Sequence, residues 1–273
     1  MYHGGLMLII GESINGTIQK VGQAILDRNE AFLKELAKTQ YECGANYLDV
    51  NAGVARGDEV NDLPWLVQIV QKDVPVPLVI DSANPEAIKA ALSIYRHSEP
   101  PLLNSISGET EKWNKLFPVI VEKKCKIVVL LMDDKGIPKT TDERMAIAKR
   151  LSERLTGGGI PSENIYFDPL VLSVGVETDA ALVTLETIRT LRYDFPNSHI
   201  ISGVSNVSMG LPGRRLINRT FLTMAIYAGL DTLLIDVRDQ SLMSSIYTSK
   251  ILVNQDPYCL QYLKAYREKK ILV

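Results

Sequence analysis

Eight short apolar runs, each followed by a longer stretch of helical character, constrain this chain more than any other feature. The runs are "LMLIIGE", "ANYLDVN", "PLVIDS", "PPLLNSIS", "KIVVLLMDD", "NIYFDPLVL", "HIISGVSN" and "DTLLIDV". Between them lie amphipathic segments such as "AFLKELAKTQYECG", "DERMAIAKRLSERLTGGG" and "DAALVTLETIRTLRYDF". The first closes on Gly44 and the second on Gly157 to Gly159, as helix C-termini do. Strands alternating with helices specify βαβ units and a parallel sheet. Eight units fill 273 residues, close to the roughly 250 of a closed barrel. No Gly-x-Gly-x-x-Gly follows the first run, which disfavours an open dinucleotide-binding sheet. The expected fold is therefore an α/β (β/α)8 TIM barrel over residues 1–273, one domain, with "YCLQYLKAYREKK" as an extra C-terminal helix. No linker or composition shift divides it.

The ends of the runs are polar. Glu12 follows the first, Asp49 and Asn51 the second, Asp81 the third and Asn104 the fourth; Asp133, Asp168, Asn206 and Asp236 follow the rest. Asp81, taken alone, reads as a brace for the turn into a helix started by Asn84 as N-cap and Pro85 at the first position. Nine such residues at eight strand ends are hard to read as independent caps. In this fold the C-terminal strand ends meet at one mouth, where active sites are built, so the set reads as a ring around a shared ligand.

Composition narrows the ligand. A formal charge of -2 leaves no basic surplus for a nucleic acid backbone. Hydrophobic residues make up 46% and charged residues 23%, which suits an ordinary globular chain. Cys43, Cys125 and Cys259 are far apart and suit a reduced, cytoplasmic setting rather than a disulfide or zinc framework. No run reaches the roughly 20 apolar residues that cross a bilayer, and "MYHGGLMLIIGESING" lacks the layout of a signal peptide.

The ring holds carboxylates and amides. His97 and His199 fall away from the expected mouth and His3 lies in the leader; no His cluster for zinc, Gly-x-Ser-x-Gly elbow or strand-ending Lys is present. Acids and amides suit a heterocycle rich in N–H groups and ring nitrogens, since Asp accepts paired N–H bonds and Asn both donates and accepts. Magnesium with a phosphorylated substrate is the competing reading, although no phosphate loop follows the seventh or eighth run.

"LIIGESIN", "LDVNAG", "VIDSANPEAI", "LLNSIS", "YFDPLVL" and "GVSNVSMGLPGRRLINRTFL" resemble the pterin-binding methyltransferases that move a methyl group between tetrahydrofolate and a corrinoid. The likeness runs from Leu8 to about Tyr258, and its most specific element is "SNVS" followed by "GLP" and Arg214; the strand-ending Asp-Ser and Asp-Pro pairs are shared with dihydropteroate synthases. The resemblance implies that Asp81, Asn104 and Asp168 hold the pterin and that Asn206 lies next to N5, as the catalytic amide. It places Arg214 near the folate tail or the reaction face, with Glu12, Asp49 and Asn51 shaping the pocket. Met209 departs from relatives that carry an amide there.

Breaking the bond between methyl and N5 leaves a poor leaving group, so a hydrogen bond or proton at N5 in the transition state is the main demand on the site. The resemblance implies a cobalt nucleophile, or the reverse transfer to N5, with tetrahydrofolate or 5-methyltetrahydrofolate as substrate. The chain has no Asp-x-His-x-x-Gly corrinoid motif. A separate corrinoid protein is thus the expected partner, docking over the mouth of what the resemblance implies is a homodimer. Two rivals stay open: a dihydropteroate synthase-like condensing enzyme, disfavoured by "SNVS" and "GESING" at the positions of that family's signatures, and a folate-binding protein without catalysis.

Overall fold

A computed structural model describes residues 7–55 and 57–272; His3 lies outside them. Eight parallel strands close into a barrel in chain order. They are β1 (Leu8–Asn15), β2 (Tyr47–Asn51), β3 (Leu78–Asp81), β4 (Leu102–Gly108), β5 (Lys126–Asp133), β6 (Ile165–Asp168), β7 (His199–Gly203) and β8 (Thr232–Ile235). The barrel is sealed where β1 pairs with β8, Leu8 beside Thr232 through Gly11 beside Ile235.

Helices α1 (Gln19–Leu26) and α2 (Glu30–Glu42) follow β1. One helix then follows each strand: α3 (Glu59–Asp73), α4 (Pro85–Ile94), α5 (Thr110–Lys123), α6 (Thr141–Gly157), α7 (Ala180–Asp194), α8 (Arg214–Ala228) and α9 (Gln240–Leu252). The extra helix is α10 (Leu260–Arg267). Local chemistry sets these boundaries. Asn84 caps α4 by accepting from the Glu86 N–H at 3.0 Å, with Pro85 at the first position. Thr140 and Glu143 form a reciprocal capping box on α6, which ends at Gly157 before Gly159 takes a positive φ of 89°.

Two cores result. The larger lies between strands and helices and takes one face of each strand. The smaller fills the barrel with Ile10, Tyr47, Val79, Leu102, Val128, Tyr166 and Ile201, backed by Leu8, Leu130 and Leu234. This plug decides where the site can be. Side chains alternate along a strand, so the position two residues beyond each plug residue also faces the barrel axis, one layer nearer the mouth.

Candidate functional site

Two residues beyond the plug stand Glu12, Asp49, Asp81, Asn104, Leu130, Asp168 and Gly203, with Asp236 two beyond Leu234. Six of the eight are acids or amides, directly above an apolar floor. Asn51, Asp81 and Asn104 are register neighbours on β2, β3 and β4. The Asn51 Nδ2 donates to Asp81 Oδ2 at 2.8 Å, while its Oδ1 accepts from the Gly53 N–H.

Asp81 does not brace its turn. Ser82 does so, accepting from the Asn84 N–H at 2.9 Å and donating to Glu59 Oε1 at 2.7 Å. The turn is held without Asp81, whose carboxylate is left for the pocket. Asp168 combines both roles: its Oδ1 accepts from the Leu170 N–H at 2.8 Å within a turn where Leu170 has φ 63°.

Asp49 lies deepest. Its side chain is buried and its Oδ1 has no hydrogen-bond partner among the described residues. Burial raises its pKa well above 3.8, the charge of Asp81 adds to this, and a hydrogen bond with Asn104 opposes it. Burial also raises Asp81, against the Asn51 amide and the charge of Lys112. It pushes Glu12 up to about 7, helped by the neighbouring Asp236, and Asp168 up to about 6, against the Leu170 N–H and Arg144. Desolvation without full ion pairing is typical of sites that await a ligand. Carboxyls held above their ordinary range beside the Asn51 and Asn104 amides give this layer donors and acceptors suited to a heterocycle with both kinds of edge.

Some expectations need correction. Glu12, Asp49 and Asn104 lie inside their strands, so polar residues enter the barrel earlier than a strand-end rule implies. Asp133 leaves the ring: it ends β5 one step out of phase with Leu130 and pairs with Arg150 of α6 at 2.6 Å. Asp236 is largely occupied, bound by both Arg238 Nε and Nη2 and by Ser13.

Asn206 sits above the floor, on a 3-10 turn over Val204–Ser208 that follows β7. It is exposed, and no hydrogen bond holds its side chain among the described residues. Gly203 beneath leaves room, because a Cβ there would meet only Asn206 Nδ2, at 3.9 Å. Arg214, the first residue of α8, clamps this turn through the Ser205 carbonyl at 2.8 Å and Ser208 Oγ at 3.1 Å. It also lines a cleft of about 490 Å³ with Glu12, Val204, Asp236 and Arg238. Two cations escaped notice in the sequence: Lys112, in the first turn of α5, acts on Asp81, and Arg144 of α6 acts on Asp168. Lys112 was in principle visible, since it stands just inside the helix after β4.

His199 opens β7, where it stacks on Tyr166 and meets Asp231 at 3.2 Å, at the end remote from the ring. Among the described residues no cluster of three or more His, Cys, Asp or Glu is arranged to hold a metal ion, and no helix is long and apolar enough to cross a membrane.

The chain is 36% identical over 267 residues to the methylcorrinoid:tetrahydrofolate methyltransferase of Eubacterium limosum, a match covering 97% of this chain and 98% of that one. It is 26% identical over 242 residues to the methionine synthase of Mycobacterium tuberculosis, matching 84% of this chain but 20% of that longer enzyme. Among solved structures, the dihydropteroate synthase of Thermus thermophilus superposes with a TM-score of 0.66 at 16% identity, over 90% of this chain and 94% of that one. The synthase of Coxiella burnetii, in complex with pteroic acid, gives 0.64 at 14%, over 90% and 94%. These two likenesses concern the fold. Residues 14–236 match the model of the pterin binding enzymes, and the chain belongs to that family.

Proposed function

We propose that this protein is a methyltransferase that moves a methyl group between N5 of tetrahydrofolate and the cobalt of a corrinoid carried by a separate protein. The observation that carries the reading is the polar layer over the barrel plug, in a chain 36% identical along almost its whole length to an enzyme named for this reaction. Asp81, Asn104 and Asp168 hold the nitrogen-rich edge of the pterin. Asn51 orients Asp81, and buried Asp49 offers the unpartnered Oδ1 at the bottom of the pocket. Glu12 shapes the side of the pocket toward the cleft.

Asn206 supplies the hydrogen bond to N5. Its exposed, unbound amide turns between donating and accepting without breaking a structural bond, and Gly203 leaves it space. Arg214 fixes the turn that carries it. The corrinoid supplies a nucleophilic or methylated cobalt presented over the mouth; the chain contributes positioning and electrostatics. A homodimer working in the cytoplasm completes the proposal.

The test is calorimetric binding of tetrahydrofolate, followed by single-turnover transfer with a cobalt(I) corrinoid and 5-methyltetrahydrofolate. Binding with transfer supports the reading. Binding with neither transfer nor pyrophosphate release indicates a folate-binding protein, and pyrophosphate release from a pterin pyrophosphate with p-aminobenzoate indicates a synthase.

A further inference from the structure

Arg144 lies on the inner side of α6 and is 1% exposed. Its Nη1 donates to the Pro169 carbonyl at 2.7 Å and its Nε to the Pro138 carbonyl at 3.2 Å. Both acceptors are neutral, and among the described residues no carboxylate pairs with it at ion-pair distance. Arg192 shows the usual alternative, meeting Asp231 at 2.6 Å. Burying a guanidinium is costly unless its charge is used, and two carbonyls need donors but not a full charge.

The charge has one addressee. Pro169 directly follows Asp168, and Asp168 is the group that acts on Arg144 through its charge. In return, among the described residues Arg144 is the charged side chain that acts on Asp168. The other elements around Asp168 offer none: β5 sets Leu130 beside it, its own loop gives the Leu170 N–H, and β7 brings His199, engaged with Asp231 near the opposite end. Glu12, Asp49, Asp81 and Asp236 act within their own side of the ring.

We propose that Arg144 is a positioning residue for Asp168: it keeps that carboxylate ionised and, by gripping the Pro169 carbonyl, fixes its aim into the pocket. The ligand consequence rests on the pterin reading above; the electrostatic claim does not. An ionised Asp168 accepts N–H groups from the pterin edge, whereas a protonated one offers a competing donor. Burial works against the ionised form, and the Arg144 charge holds the balance toward it.

The test is a carbon-13 carboxyl NMR titration of the ligand-free protein, with the Asp168 signal assigned by its loss in Asp168→Asn. Arg144→Gln keeps donors for the carbonyls but removes the charge. The Asp168 midpoint should rise by about one pH unit, within the range for losing a nearby opposite charge. If Asp168 then binds the pterin, the acid limb of tetrahydrofolate binding moves up equally. A one-unit rise from a midpoint near pH 6 costs about fivefold in ionised Asp168 at pH 6 and almost nothing at pH 8. Arg144→Lys, which keeps the charge but loses the fork, should leave the midpoint within about half a unit of wild type. An unchanged midpoint in folded Arg144→Gln overturns the proposal. Should that variant not fold, a full-unit rise in Arg144→Lys overturns it as well. A shifted midpoint without tetrahydrofolate binding instead refutes the pterin reading and leaves the electrostatic role standing.

Discussion

Replacing Asp81 by Ala should separate ligand binding from stability. Asp81 ends β3, and its Oδ2 accepts the Asn51 amide at 2.8 Å. The turn beyond it is held by Ser82 and Asn84 and loses nothing. Losing one charge-assisted acceptor for a buried N–H costs about 1–3 kcal/mol, so tetrahydrofolate affinity should fall roughly tenfold to a hundredfold, at about 1.4 kcal/mol per factor of ten. Stability should move the other way or not at all. Burial raises the carboxyl above 3.8, so above that pH the ionised group opposes folding, and its removal relieves the penalty while freeing one Asn51 donor that water can reach. Calorimetry gives the affinity and thermal melting the stability. The reasoning fails if folded Asp81→Ala binds with wild-type affinity, or if affinity falls only in step with a falling melting temperature.

Glu12 has a folded pKa of about 7 against an ordinary 4.5, so its contribution to stability is most favourable below about pH 4.5 and declines as pH rises to about 7. Glu12→Gln should flatten that part of the stability profile, as followed by urea titrations at several pH values. Arg214→Ala removes the clamp on the Val204–Ser208 turn; it should lower stability by about 1 kcal/mol and slow methyl transfer less than Asn206→Ala, measured by melting and single-turnover rates. Light scattering should give twice the 30.3 kDa chain mass if the homodimer proposal holds, and the chain mass if it does not.

Much of the fold was legible because the strands are dense apolar runs, several of them bounded by a helix cap or a glycine stop. Asn84-Pro85 and Gly157–Gly159 do what those residue types demand. The short helix α1 was less visible, being eight residues long with no capping side chain. The polar ring was legible as a set, but phase decided its membership. Asp133 and Asp168 both follow apolar runs; only Asp168 is in step with the barrel-facing plug, two beyond Tyr166, while Asp133 turns to Arg150. The run itself does not reveal that difference, because both faces of β5 are apolar and either could turn to the barrel axis. Arg144 was hidden for another reason. It lies in a helix that reads as an ordinary charged surface, 24 residues before the carboxylate it serves, and only the folded chain buries it.

Single-turnover methyl transfer in wild type and Asn206→Ala tests the central claim most directly. Asn206 carries no structural hydrogen bond through its side chain among the described residues, so the variant should fold as wild type does. A hydrogen bond that strengthens as N5 changes charge acts more on the transition state than on the bound folate. With 5-methyltetrahydrofolate and a cobalt(I) corrinoid protein, wild type should convert the cobalt to its methylated form. Asn206→Ala should do so at least about tenfold more slowly, with a smaller loss of folate affinity. No methyl transfer between N5 and cobalt by the wild-type protein, in either direction, would contradict the assignment; an unchanged rate in folded Asn206→Ala would contradict the role given to its amide.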